Sequence, residues 1–596
     1  MKRVEACMVG RRGFPPVAPA PRVVPNRPGR GSACRRPGPT LLAVRWIRGR
    51  RRRAAALLTA ASLAASAVVA CSSTGGGSDG ADGRPDELTV YAGRGPQLLI
   101  PGAVGDAAGL QMVSALFTGL VRYDPLTARP VNAVAASIAS EDQKTWTIEL
   151  KPGWRFHNGE PVTARSFADA WNATAYGPNG WAGNKFFAGF AGYRELNPGS
   201  EDPEPENAER DEKPDRRTLS GVEVVDETTL RVTLRAPFSQ FPLILGYPAF
   251  FPLPSAAIED PGRYGRAPVG NGPYRLVGTH EAGRALTVTR FDGYPGSKPP
   301  VRTVTFTAHA SADAAYRSLL AGRVDLMPLP PELVADARRR LGGGRVVDRP
   351  GSTLQYLGLP LYDKRFRDPR LRRALSMAID REGIAGGLLA GTYAPARSLV
   401  APVTMGARPD PCGATCTYDP AGARRLLEEA GGWDGTLYLW FNPGSGHEAW
   451  IRAVADQLRR NLGITDIQVK EPDFDLYKRL LAAREVDGLW RQAWLMDYPS
   501  AQDYLQPLYA SDGAYNYSGY ADDEVDRLIA AGNAAGSLEE SLTHYRQAED
   551  ALLDDLPVIP LWFERLQFAS SARVSSVGVD AFGVIQLDQV VPAPAN

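Results

Sequence analysis

The scarce reactive residues of this 596-residue chain are five cysteines and five histidines. Cys412 and Cys416 sit four apart in Asp410-Pro411-Cys412-Gly413-Ala414-Thr415-Cys416, a turn-rich stretch. In an oxidising compartment such a pair closes a short disulfide loop; in a reducing one it stays a solvent-facing thiol pair. Zinc would need imidazoles or further thiols at short spacing, and His157, His280, His309, His447 and His544 are scattered along the chain. No metal site is expected. Gly76-Gly77-Ser78-Asp79-Gly80 has the G-x-S-x-G form of a serine-hydrolase nucleophile, but that turn needs a strand before it and a helix after it, and small polar residues flank it instead. There is no H-E-x-x-H. The chain therefore lacks the nucleophile or metal constellation of a peptidase, and neither catalysis nor a cofactor is expected.

The remaining cysteines are Cys7, Cys34 and Cys71, and Cys71 closes a distinctive segment. Arg50-Arg51-Arg52-Arg53 precedes an Ala- and Ser-rich apolar run over 54–70, which ends in Val68-Val69-Ala70-Cys71. The run is short and weakly apolar for a bilayer-spanning helix, which needs about 20 residues; a permanent membrane anchor is the alternative. The segment resembles the lipobox of bacterial lipoproteins, which implies an exported protein acylated on Cys71 and held at the outer face of the cytoplasmic membrane. Residues 1–70 read as leader and 71–87 as a flexible Ser/Gly tether. Residues 1–44, rich in Pro, Arg and Gly, do not fit a signal peptide, and a translation start near Val44 is expected.

Charge follows the same division. Before Cys71 lie 15 of the 68 Lys and Arg residues but, of 66 acids, only Glu5. Without that stretch 53 basic residues face 65 acidic ones, a net charge of about −12, so a nucleic-acid partner is not expected. A hydrophobic content of 44% with 11 Trp provides for large cores, and the length calls for at least two lobes.

The body alternates strand and helix. Residues 88–91 form an apolar strand, 107–120 have helical spacing, and 145–150 alternate with period two before a Lys151-Pro152-Gly153 turn. Thr163 caps a helix carrying Phe167 and Trp171 on one face. Residues 201–217, charged and poor in large apolar side chains, read as a solvated insertion, and Asp226-Glu227-Thr228-Thr229 joins a hairpin of 222–225 and 230–234. Strands follow at 286–290 and 304–307. Asp368-Pro369 starts a helix over 370–384, and Asp419-Pro420 starts another that stops at Gly431-Gly432. Strand 437–441, helix 448–462 and strand 467–470 complete a second α/β lobe.

Five phrases in fixed order then resemble the family 5 extracellular solute-binding proteins, the oligopeptide and dipeptide receptors of ABC importers. They are KTWTIELKPGWRFHNGEPVT from Lys144, Gly270-Asn271-Gly272-Pro273-Tyr274, DPRLRRALSMAIDR from Asp368, WLMDYPSAQDY from Trp494 and LPVIPLW from Leu556. The resemblance implies a type II periplasmic-binding-protein fold of two α/β lobes joined by a hinge, with an extra subdomain in the first lobe. It places lobe 1 at 88–352 with the subdomain at about 126–265, lobe 2 at 353–556, and a return to lobe 1 over 557–596. The implied function is capture of an oligopeptide between the lobes and delivery to an ABC permease in the membrane, by a monomer. Oligosaccharide or metal-chelate cargo is the alternative within the fold, and a secreted hydrolase the alternative outside it.

The resemblance also implies a site. Asp497 matches the family aspartate that pairs with a peptide's α-ammonium, and Arg491 stands where some members hold the terminal carboxylate with a guanidinium fork. Trp494 and Tyr477 match aromatic residues lining side-chain pockets. The family's opening Leu-Asp-Pro is replaced here by Pro96-Gln97-Leu98-Leu99-Ile100-Pro101, without the acid.

Overall fold

The computed structural model describes residues 86–594 apart from Leu126, residues 199–212 and Ser445. The leader, Cys71, the tether as far as residue 85 with its G-x-S-x-G, and most of the 201–217 insertion lie outside the described residues.

A single mixed sheet runs through the molecule. Its strands are β1 (Glu87–Tyr91), β2 (Tyr274–Val277), β3 (Leu286–Arg290), β4 (Thr303–Thr307), β5 (Leu326–Pro328), β6 (Val346–Gly358), β7 (Tyr393–Pro395), β8 (Leu437–Trp440), β9 (Ile467–Lys470), β10 (Leu489–Trp494) and β11 (Val558–Ser570). They lie in the order β9-β8-β10-β6-β11-β5-β1-β4-β3-β2, with β7 paired to β11. β6 and β11 are antiparallel ribbons of 13 residues each, and they belong to both ends of the sheet. Val346 to Pro350 face Ala569 to Arg565 beside β5, whereas Leu354 to Gly358 face Phe563 to Val558 beside β10. Between Pro350 and Leu354 the register slips, a bulge that bends the ribbon where it passes from one half to the other.

Most buried side chains divide at this ribbon, with a small cluster of Leu243, Met405 and Leu542 drawn from both halves. One core takes Leu88, Val90, Val304 and Phe306 together with Val574, Ile585 and Val590 from the last part of the chain. Others, around Leu375, Leu439, Ile451 and Leu458 and around Tyr504, Leu528 and Tyr545, occupy the half beyond it. This is the two-lobed, hinged α/β arrangement, and the extra subdomain is a four-stranded antiparallel sheet of Ala135–Ala139, Thr145–Leu150, Thr229–Thr233 and Val222–Val224.

Local chemistry sets the helix ends. α1 (Ala107–Leu116) stops four residues short of the expected 120 because Phe117 is extended and the Thr118 backbone is tied on both sides to the Asn271 amide. Gly270 and Gly272, of the second matched phrase, pass so close that a Cβ would lie 1.9 Å and 2.8 Å from the Leu116 carbonyl oxygen, which accepts the Gly272 N–H. α2 (Ala164–Ala175) carries the Thr163 cap, completed by Ser166, and buries Phe167 and Trp171. The expected helix over 370–384 breaks after α3 (Pro369–Met377). There Arg381, buried, donates to the carbonyls of Ser376, Ile379, Cys416 and Pro560, and these bonds require the chain to turn rather than continue. α4 (Pro420–Glu429) starts on Asp419, and α5 (Glu448–Leu462) buries Ile451, Val454 and Leu458 and ends at Gly463 with φ 74°.

Candidate functional site

β10 lies between β8, its parallel neighbour, and β6, its antiparallel one, so Leu489 and Trp490 are buried on both faces. Open α/β sheets bind ligands beyond the carboxyl ends of such strands; Asp497 lies just past the end of β10, and Arg491 within it. Arg491 is half-buried; its Nη1 donates to the Asn442 side-chain Oδ1 at 3.3 Å, and its Nε is buried without a partner. Among the described residues no carboxylate lies within ion-pair distance of it. Burial pulls its pKa down, opposed by the Tyr477, Tyr393 and Tyr356 hydroxyls. His447, at the start of α5, is lowered to about 4, first by burial and then by the Arg491 charge, and is neutral near pH 7.

Tyr477, on α6 (Phe474–Ala482), is 1% exposed. Its hydroxyl donates to the backbone carbonyl of Arg491 at 2.6 Å and lies 3.2 Å from that of Trp440. It braces β8 against β10 from behind, in a core with Trp440, Leu481 and Trp490.

After β10 the chain crosses 495–499 and enters α7 (Ala501–Tyr509), capped by Ser500. Asp503 on α7 is buried and accepts the Asp497 backbone N–H at 2.9 Å and the Trp494 indole N–H at 3.2 Å. Burial, reinforced by the neighbouring Asp497 charge, holds its carboxyl well above the usual range. Trp494, half-buried, meets Tyr515 edge to face at 5.1 Å. Asp497 receives Lys185: Nζ lies 3.0 Å from each carboxylate oxygen. Lys185 belongs to the 3₁₀ segment Ala182–Phe187, whose Phe186 stacks on Tyr247 at 4.2 Å. Burial works against the lysine's charge, yet Asp497 more than offsets it and the pKa is raised.

The structure thus gathers Arg491, Trp494 and Asp497 along one strand and its exit, sets Tyr477 behind them, and adds Lys185. No local pattern marks Lys185, because its partner is 312 residues away. Nearby, Ser500 Oγ donates to Gln240, whose amide donates to Ser541, and Ser239 Oγ donates to the Gly532 carbonyl, so the chain around 240 is joined to that around 500 and 540 by buried polar bonds. Cys412 and Cys416 form a disulfide with Cα atoms 5.6 Å apart, buried in the core around Tyr504.

Comparison with known proteins gives these features a setting. The family described as bacterial extracellular solute-binding proteins, family 5 Middle, matches residues 129–516. The glutathione-binding protein GsiB of Salmonella typhi is 26% identical, over 82% of this chain and 91% of its own. The unliganded open form of the periplasmic murein tripeptide-binding protein MppA superposes with a TM-score of 0.75 at 24% identity, covering 85% of this chain and 97% of that one. A Haemophilus influenzae OppA complexed with the peptide RPPGFSPFR superposes with a TM-score of 0.62 at 23% identity, over 85% and 99%.

Proposed function

Since this chain belongs to the family 5 extracellular solute-binding proteins, the substrate-binding components of ABC transporters, we propose that its cargo is a short peptide held by its carboxylate on Arg491. The observation that carries this reading is the half-buried guanidinium with no carboxylate partner among the described residues. A buried cation left unpaired is costly, and a planar fork suits a carboxylate bound through two hydrogen bonds. GsiB and MppA are named for glutathione and murein peptides, which supports peptide-like cargo.

The amino end of the peptide lies toward Asp497, with Trp494 and Tyr515 as apolar walls for side chains. Asp497 lies six positions after Arg491 and three past the end of β10, a separation of at most about 20 Å, so peptides of up to about six residues span the two charges. Lobes 88–352 with 557–596, and 353–556, close on the cargo by bending the β6–β11 ribbon. Acylation of Cys71 holds the receptor at the outer face of the membrane, beside the permease it supplies.

Calorimetric titration of the purified protein tests the cargo. Heat with a mixed pool of short peptides, and none with malto-oligosaccharides or nickel-histidine, is expected. Heat with the sugars alone would overturn the peptide reading.

A further inference from the structure

We propose that Lys185 determines specificity: by neutralising Asp497 from within the protein, it selects peptides whose amino end is uncharged, such as N-acyl peptides with a free carboxylate, over those with a free ammonium. The inference rests on the peptide reading of this cleft. Its basis is that both oxygens of Asp497 are already occupied, each 3.0 Å from the same Nζ, while the Asp497 amide is committed to Asp503. The lysine's backbone is held in the wall, while its side chain, 55% exposed, reaches across to Asp497. Its 3₁₀ segment is tied down by Phe186 stacked on Tyr247 and by Phe187 buried in the subdomain core, and Nζ sits 5.2 Å from the Phe186 ring.

A free α-ammonium seeking Asp497 meets a like charge at the same acceptor edges, and either shares the carboxylate at short range or drives Lys185 into water. An acyl group meets no such conflict. Lys185 spends two of its three N–H donors on Asp497, and the third can serve the acyl carbonyl. Trp494, Tyr515 and Tyr247 supply flat apolar faces for the acyl chain. The balance of charge agrees. Lys185 and Asp497 cancel, the buried Asp503 is driven toward its neutral form, and Arg491 leaves one positive charge, which complements a ligand of charge −1 better than a zwitterion.

The test is calorimetric titration of the full chain with alanine peptides of two to five residues, each with a free and an N-acetylated amino end, using wild type, Lys185→Met and Lys185→Arg. Wild type is expected to bind acetylated peptides at least tenfold more tightly than their free counterparts. Lys185→Met should reverse that order and Lys185→Arg preserve it. Tighter binding of the free peptides by wild type, or the same preference in wild type and Lys185→Met, overturns the inference while the peptide reading stands. Binding of no peptide by any of the three proteins overturns both.

Discussion

An unpaired cation costs an empty protein stability that a ligand can restore. Replacing Arg491 by Met keeps an unbranched stem and removes the guanidinium, so Arg491→Met is expected to weaken carboxylate-ended peptides by roughly 30- to 160-fold, from about 2–3 kcal/mol of charge-assisted bonding, and to leave C-amidated peptides unchanged. The same variant should unfold at a higher temperature than wild type when empty, a pairing of effects that a merely structural arginine would not produce. Titration with matched acid and amide peptides, and a melting curve, measure both. Arg491, Trp494 and Asp497 were legible because they fall within or three residues before one recognisable phrase. Tyr477 was legible as an aromatic, but not its task, since only the packing of α6 behind β8 and β10 spends its hydroxyl on backbone. Lys185 was illegible, because an ion pair spanning 312 residues leaves no trace in spacing.

Secondary elements are positioned by close approaches that a single atom can spoil. A Cβ on Gly358 would lie 2.1–2.4 Å from the Trp490 indole, at the last pair of the β6–β10 register. Gly358→Ala is expected to destabilise the protein by about 1–3 kcal/mol through overpacking, read by urea denaturation. The disulfide closes so short a loop that the Cys412→Ala, Cys416→Ala double variant should lose only about 2 kcal/mol on the chain-entropy account. Elements governed by period and caps, such as α5 and the Thr163-capped α2, could be read from sequence directly. The ends of α1 and α3 could not. Asn271 and the Arg381-bonded carbonyl of Pro560 act from distant segments, and distant partners override local spacing.

For the molecule as a whole, acid acts through groups of opposite sign. His447 titrates near 4 in the folded chain and near 6.5 when unfolded, so its contribution is complete above pH 6.5 and is lost as pH falls toward 4. Between pH 7 and 5 that loss is about 2 kcal/mol. Asp580, raised to about 6 by burial, works the other way, since the folded chain holds its proton more firmly and gains stability as pH falls through 6. The difference between wild type and His447→Gln isolates the first effect: the variant should lose about 2 kcal/mol less between pH 7 and 5 in urea denaturation. The alternation of strand and helix revealed two lobes, but nothing local in the sequence reveals that both share one sheet. That sharing also orders events in time. A polypeptide emerges from its N-terminus, and β5 and the first half of β6 wait with bare edges until β11, more than 200 residues later, arrives to cover them. The lobe begun first is thus finished last, and in the interval its open strands are the part of the nascent chain most in need of a chaperone.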